Sequence, residues 1–151
     1  MRRRYIMAKK HVDYLNKLVG SFGVLYIKLH QHHWFVKGPK FFEAHEKFEE
    51  LYDETTANLD EVAERMLQLG QEPISTLKEF LDHSVIKETE FKNVTDATEM
   101  YKSVLEDFET LNKIYQDGFE LFEGDEVTTD LLVGLQEAVQ KHIWMIGAYL
   151  A

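Results

Sequence analysis

Four long stretches of this chain bring apolar residues back every three or four positions, with very little glycine or proline to interrupt them. Val12, Leu15, Leu18, Val19, Phe22, Leu25, Tyr26 and Leu29 mark the first, over about residues 11 to 36. Phe41, Phe48, Leu51, Thr55, Leu59, Val62, Met66 and Leu69 mark the second, from about 41 to 69. Tyr101, Val104, Phe108, Leu111, Tyr115 and Phe122 form the third, and Leu131, Leu135, Val139, His142, Ile146 and Tyr149 the fourth. This is the period of an α-helix that buries one face, and it leaves no room for strand-like alternation of useful length. The breaks fall where helices end: Gly38 with Pro39, and Gly70 shortly before Pro73. Thr76 with Glu79 reads as a capping box opening a short helix, Leu77 to His83, and Asp96 with Glu99 as another. The box at Asp96 opens a third long helix ending near Gly124; the last begins near Asp125 or Thr128.

These elements predict an all-α four-helix bundle. The 151 residues suit one domain, residues 11–151, preceded by a short basic tail, residues 1–10. About 25 residues separate the second and third long helices, and they hold the short extra helix. A connection of that length can carry the chain along the bundle, giving the up-down-down-up order of ferritin-like folds. A generic up-down bundle with a loose middle loop is the alternative. Cysteine is absent, which excludes disulfides, thiolate metal sites and cysteine nucleophiles. No apolar run approaches the ~20 residues of a membrane helix. MRRRYIMAKK has charge but no apolar segment behind it, so it does not read as a secretory signal, and the expected location is cytoplasmic. With 27 acidic and 17 basic side chains the net charge is −10, better suited to hard cations than to nucleic acid.

The Glu-x-x-His pairs of di-iron bundles are missing: none of the seven histidines has glutamate three positions before it. A different set is present. His45 and Glu49 are four apart on the second helix, as are Asp60 and Glu64, and all four fall within an arc of about 100°. One chain cannot bring them to one ion. Glu49 and Asp60 are about 16 Å apart along the axis, whereas ligands stand about 2 Å from a metal. Two copies of this helix, antiparallel and crossing near residues 54 and 55, would bring His45 and Glu49 of one to Asp60 and Glu64 of the other. The two-fold makes two such sites, roughly 22 Å apart. A solvated acidic face with a stray histidine is the competing reading.

The stretch HQHHWFVKGPKFFEAHEKFEELYDE (30–54), with NLDEVAERMLQLG (58–70), PISTLKEFL (73–81) and the terminal HIWMIGAYL, resembles the Dps family of ferritins, DNA-binding proteins from starved cells. The likeness runs from about residue 11 to 151. It implies a hollow shell of twelve subunits that oxidises Fe(II) at centres between subunits, with hydrogen peroxide preferred to oxygen, and stores Fe(III) as a mineral. His33 matches the first family histidine and His45 the second; Glu49 stands where the family carries an acid, commonly aspartate. Asp60 and Glu64 match the pair given by the neighbouring subunit. Of His30, His32 and His33, spacing alone selects none, and the resemblance selects His33; the other two are expected at the surface or behind the ligands. By resemblance Trp34 sits near the centre, where it would intercept stray oxidising equivalents; packing is the alternative. Trp144 is expected in the core. Asp125 and Asp130 fall where the family lines three-fold pores with carboxylates, although helix capping also places Asp there.

Residues 1–10 carry Arg2, Arg3, Arg4, Lys9 and Lys10 and no acid, leaving a net −15 on residues 11–151. A starting Met at Met7 would keep only the two lysines. A twelve-subunit shell this acidic repels duplex DNA unless the tails reach out. A DNA-compacting, nucleoid-associated protein is therefore the alternative function, and a haem-binding or purely structural bundle the third.

Overall fold

A computed structural model, which describes residues 7–151, has five helices: α1 (Lys9–Phe35), α2 (Phe41–Gln68), α3 (Leu77–His83), α4 (Ala97–Leu121) and α5 (Glu126–Leu150). Arg2, Arg3 and Arg4 lie outside the described residues, and Lys9 and Lys10 are the first two residues of α1. α1 packs on α2, and α4 on α5, as two hairpins closed by short turns, and α1 also meets α4. The fold is ferritin-like, with α3 within the long α2–α4 connection. Each hairpin turns through a glycine at positive φ, Gly38 at 107° and Gly124 at 91°, a conformation other residues adopt only with strain.

The apolar stripes meet in one core. Leu15, Leu18, Phe22 and Leu29 of α1 face Phe48, Leu51 and Met66 of α2, with Met100, Phe108 and Tyr115 of α4 behind them. The caps fall at the expected residues. Thr76 accepts from the Glu79 amide at 3.2 Å and its hydroxyl donates to the Glu79 carboxylate at 2.8 Å. Asp96 accepts from the Thr98 amide at 2.9 Å, whereas Glu99 pairs with Lys102 at 3.3 Å instead of closing the expected box.

The long connection is tied to α1 rather than loose. The Ile74 amide donates to Asn16 (3.0 Å) and the Val85 amide to the Ser21 hydroxyl (2.9 Å). The Phe80 ring lies over Gly23, and its carbonyl over Gly20, where no side chain would fit.

Of the expected α5 stripe, Leu135, Val139 and Ile146 are buried, Leu131 and His142 are half-buried, and Tyr149 is exposed. The buried line of the helix runs through Thr128, Leu132, Leu135, Val139 and Ile146. Trp144, expected in the core, is 68% exposed. The reason lies in the runs Leu131–Leu132–Val133 and Ile143–Trp144–Met145–Ile146: unbroken apolar residues give no single face for periodicity to find.

Candidate metal centre

His33 ends α1 and His45 lies in the second turn of α2. The Gly38 turn brings them together: their rings stack with centroids 3.6 Å apart and planes 15° from parallel. Nδ1 of His33 donates to the carbonyl of His45, and Nδ1 of His45 donates to the carbonyl of His33, each at 2.7 Å. The carbonyl of His33 is free to accept because the last turn of a helix leaves its carbonyls without intrahelical partners. That of His45 offers a second lone pair. A carbonyl can only accept, so each Nδ1 carries the proton and each Nε2 is left with its lone pair. Two imidazoles are thus fixed in the tautomer and orientation that metal ligation needs.

Glu49, one turn beyond His45, is exposed and accepts from the Tyr52 hydroxyl at 3.3 Å. Asp60 and Glu64 are exposed further along α2. Among the described residues no three His, Asp or Glu side chains converge within one chain. His33 and His45 are thus paired near the start of α2, Glu49 stands exposed one turn beyond them, and Asp60 and Glu64 lie towards the end of the helix. Trp34 points outward, 60% exposed, with its ring centroid 5.3 Å from that of His30.

The other two histidines of the cluster separate clearly. His32, expected at the surface or behind the ligands, is fully buried between Phe48 and Phe91. Burial, and then the nearby Lys28 cation, lower its pKa to about 3, so it stays neutral in the core. His30 stacks on Tyr52 at 3.8 Å between centroids. Sequence reasoning missed Tyr52, which touches His30, His33 and Glu49; its place seven residues after His45, on the same helix face, was the available signal.

The ferritin-like domain profile matches residues 12–151. The "DNA protection during starvation protein 2" of Bacillus anthracis is 42% identical over 146 residues, 95% of this chain and 99% of that protein. The crystal structure of Dps from Staphylococcus aureus superposes with a TM-score of 0.90 at 40% identity, covering 97% of this chain and 99% of the other. The X-ray structure of Dps from Listeria monocytogenes gives 0.89 at 40% identity, with 92% of each chain covered. The chain belongs to the Dps family.

At the other end of this Dps-family chain, Asp125 and Asp130 differ in kind. Asp125 is buried and caps α5: Oδ1 accepts from the Thr128 amide (3.0 Å) and from Arg65 Nη2 (3.2 Å), and Oδ2 from the Thr128 hydroxyl (2.6 Å). Of the two readings open for Asp125, capping is the one its contacts display. Asp130 lies on the exposed side of the same helix, beside Glu61 and Glu64 across a shallow groove. Among the described residues no helix is long and apolar enough to cross a membrane.

Proposed function

We propose that this Dps-family chain oxidises Fe(II) at centres shared between two antiparallel copies and stores Fe(III) inside a twelve-subunit shell. His33, His45 and Glu49 come from one copy, and Asp60 and Glu64 from the other. The observation that carries the reading is the reciprocal latch of His33 and His45, which stacks the two rings and leaves each Nε2 with its lone pair. Imidazole and carboxylate without thiolate suit Fe(II). Hydrogen peroxide is the oxidant: two Fe(II) each give one electron, the O–O bond breaks, and two protons complete two water molecules. Pairing both electrons with one peroxide releases no hydroxyl radical. Asp130, exposed at the start of α5, serves the pore through which iron enters, since a ring of carboxylates concentrates cations.

The test is Fe(II) oxidation by peroxide, wild type against the His45→Ala, Asp60→Ala double variant. Loss of the fast phase with assembly intact is expected. Unchanged rates would remove the assignment. The sedimentation mass gives a second check: twelve subunits are expected, and a monomer would contradict the shell.

A further inference from the structure

Tyr52 is the residue around the candidate centre that the ligand set leaves unexplained. It stands on α2 one turn after Glu49, and three contacts converge on it. Its hydroxyl donates to Glu49 Oε1 at 3.3 Å. Its ring meets the His33 ring edge to face, with centroids 5.3 Å apart and planes at 86°. On another side it lies flat against His30, with centroids 3.8 Å apart and planes 16° from parallel. His30 is itself held, because its Nδ1 donates to the Tyr26 carbonyl at 2.7 Å. The phenol is therefore clamped by α1 while its hydroxyl reaches Glu49 on α2.

Glu49 needs such a restraint. It is exposed, and a glutamate has three side-chain torsions to order before it can ligate. Both histidines are already fixed by main-chain bonds, so Glu49 is the one loosely held donor of its group. We infer that Tyr52 is a positioning residue for the centre, its hydroxyl orienting the Glu49 carboxylate and its ring seating His33. Tyr52 does not ligate. At 3.3 Å the contact is long for an O–H···O bond, and it is expected to shorten once a cation fixes the carboxylate.

This inference rests on the shared-centre reading above, and its test keeps the two apart. Co(II), whose visible bands report ligand geometry, is titrated into the assembled protein as wild type, Tyr52→Phe, Glu49→Gln, Tyr52→Phe with Glu49→Gln, and His45→Ala. Tyr52→Phe keeps the ring stack and removes the hydroxyl. It should weaken Co(II) binding about three- to tenfold, the worth of one hydrogen bond, and alter the bands while the melting temperature holds. In the Glu49→Gln background the same change should add almost nothing, because the carboxylate it orients is gone. If Tyr52→Phe binds like wild type while His45→Ala does not, the centre stands and the role of Tyr52 falls. An additive double variant overturns that role too. If His45→Ala also binds like wild type, the shared centre itself falls, and Tyr52 with it.

Discussion

Lys28 Nζ lies 2.7 Å from Asp107 Oδ2, an ion pair with side chains only 6% and 15% exposed that joins α1 to α4. Burial pushes the Asp107 carboxyl above its ordinary 3.8, while the hydrogen bond and charge of Lys28 pull it back. A raised folded-state pKa contributes stability below 3.8 and loses it as pH rises through the folded value. Lys28→Met removes the pull and leaves burial alone, so the folded pKa climbs further. The variant should therefore fall further behind wild type as pH rises from about 4 to 7, reaching about 3–5 kcal/mol. Lys28→Met with Asp107→Leu should recover most of that loss. Unfolding midpoints across pH check both; a pH-independent deficit would contradict the account.

Gly20 predicts how firmly the long connection is docked. A Cβ there would stand 2.7 Å from the Phe80 carbonyl, a main-chain atom that cannot turn aside. Gly20→Ala should displace α3 and cost about 1–3 kcal/mol. Limited proteolysis should then cut between residues 70 and 96, where wild type resists.

The contrast between these sites shows what the sequence could reveal. Helix ends were legible because they are local: Thr76 with Glu79 announces α3, and Asp96 and Asp125 sit where α4 and α5 begin. Stripes on α1, α2 and α4 were legible because polar residues interrupt them at every turn. α5 was legible only in part: Leu135, Val139 and Ile146 are buried as expected, but its apolar runs leave Trp144 and Ile146 equally apolar although one is exposed and the other buried. The candidate ligands rest on four-residue spacing and a family resemblance. The crossed main-chain bonds of His33 and His45 were not legible, because they join residues twelve apart through a turn whose geometry no local pattern encodes. His32 and His33, adjacent in sequence, diverge for the same reason: one helical step of about 100° separates the core from the candidate centre.

Asp125 and Asp130 should respond oppositely to substitution. Asp125→Ala removes the α5 cap and leaves Arg65, 14% exposed at its side chain, without its carboxylate partner. A loss of about 2–4 kcal/mol is expected, read from thermal or denaturant unfolding. Asp130→Asn should cost at most about 0.5 kcal/mol, as exposed substitutions do, yet slow iron uptake at low Fe(II) with the shell intact. Equal uptake by Asp130→Asn and wild type would remove the pore role.

A centre divided between copies makes a prediction that no single-chain site shares. His45→Ala subunits lack the imidazole half, and Asp60→Ala subunits lack the carboxylate half. Each variant alone should be inactive in peroxide-driven Fe(II) oxidation. In a two-fold dimer of one with the other, both defects fall in the same site, and the second site keeps every ligand. Random co-assembly makes half the dimers mixed, so about a quarter of all sites should be whole again. Shells refolded from an equal mixture should regain roughly that share of wild-type oxidation, whereas mixing preassembled shells should regain none. No recovery on co-assembly, with mixed shells confirmed by mass spectrometry, would overturn the shared centre and this ligand set with it, because within one chain Glu49 and Asp60 stand about 16 Å apart on α2 and cannot meet at one ion.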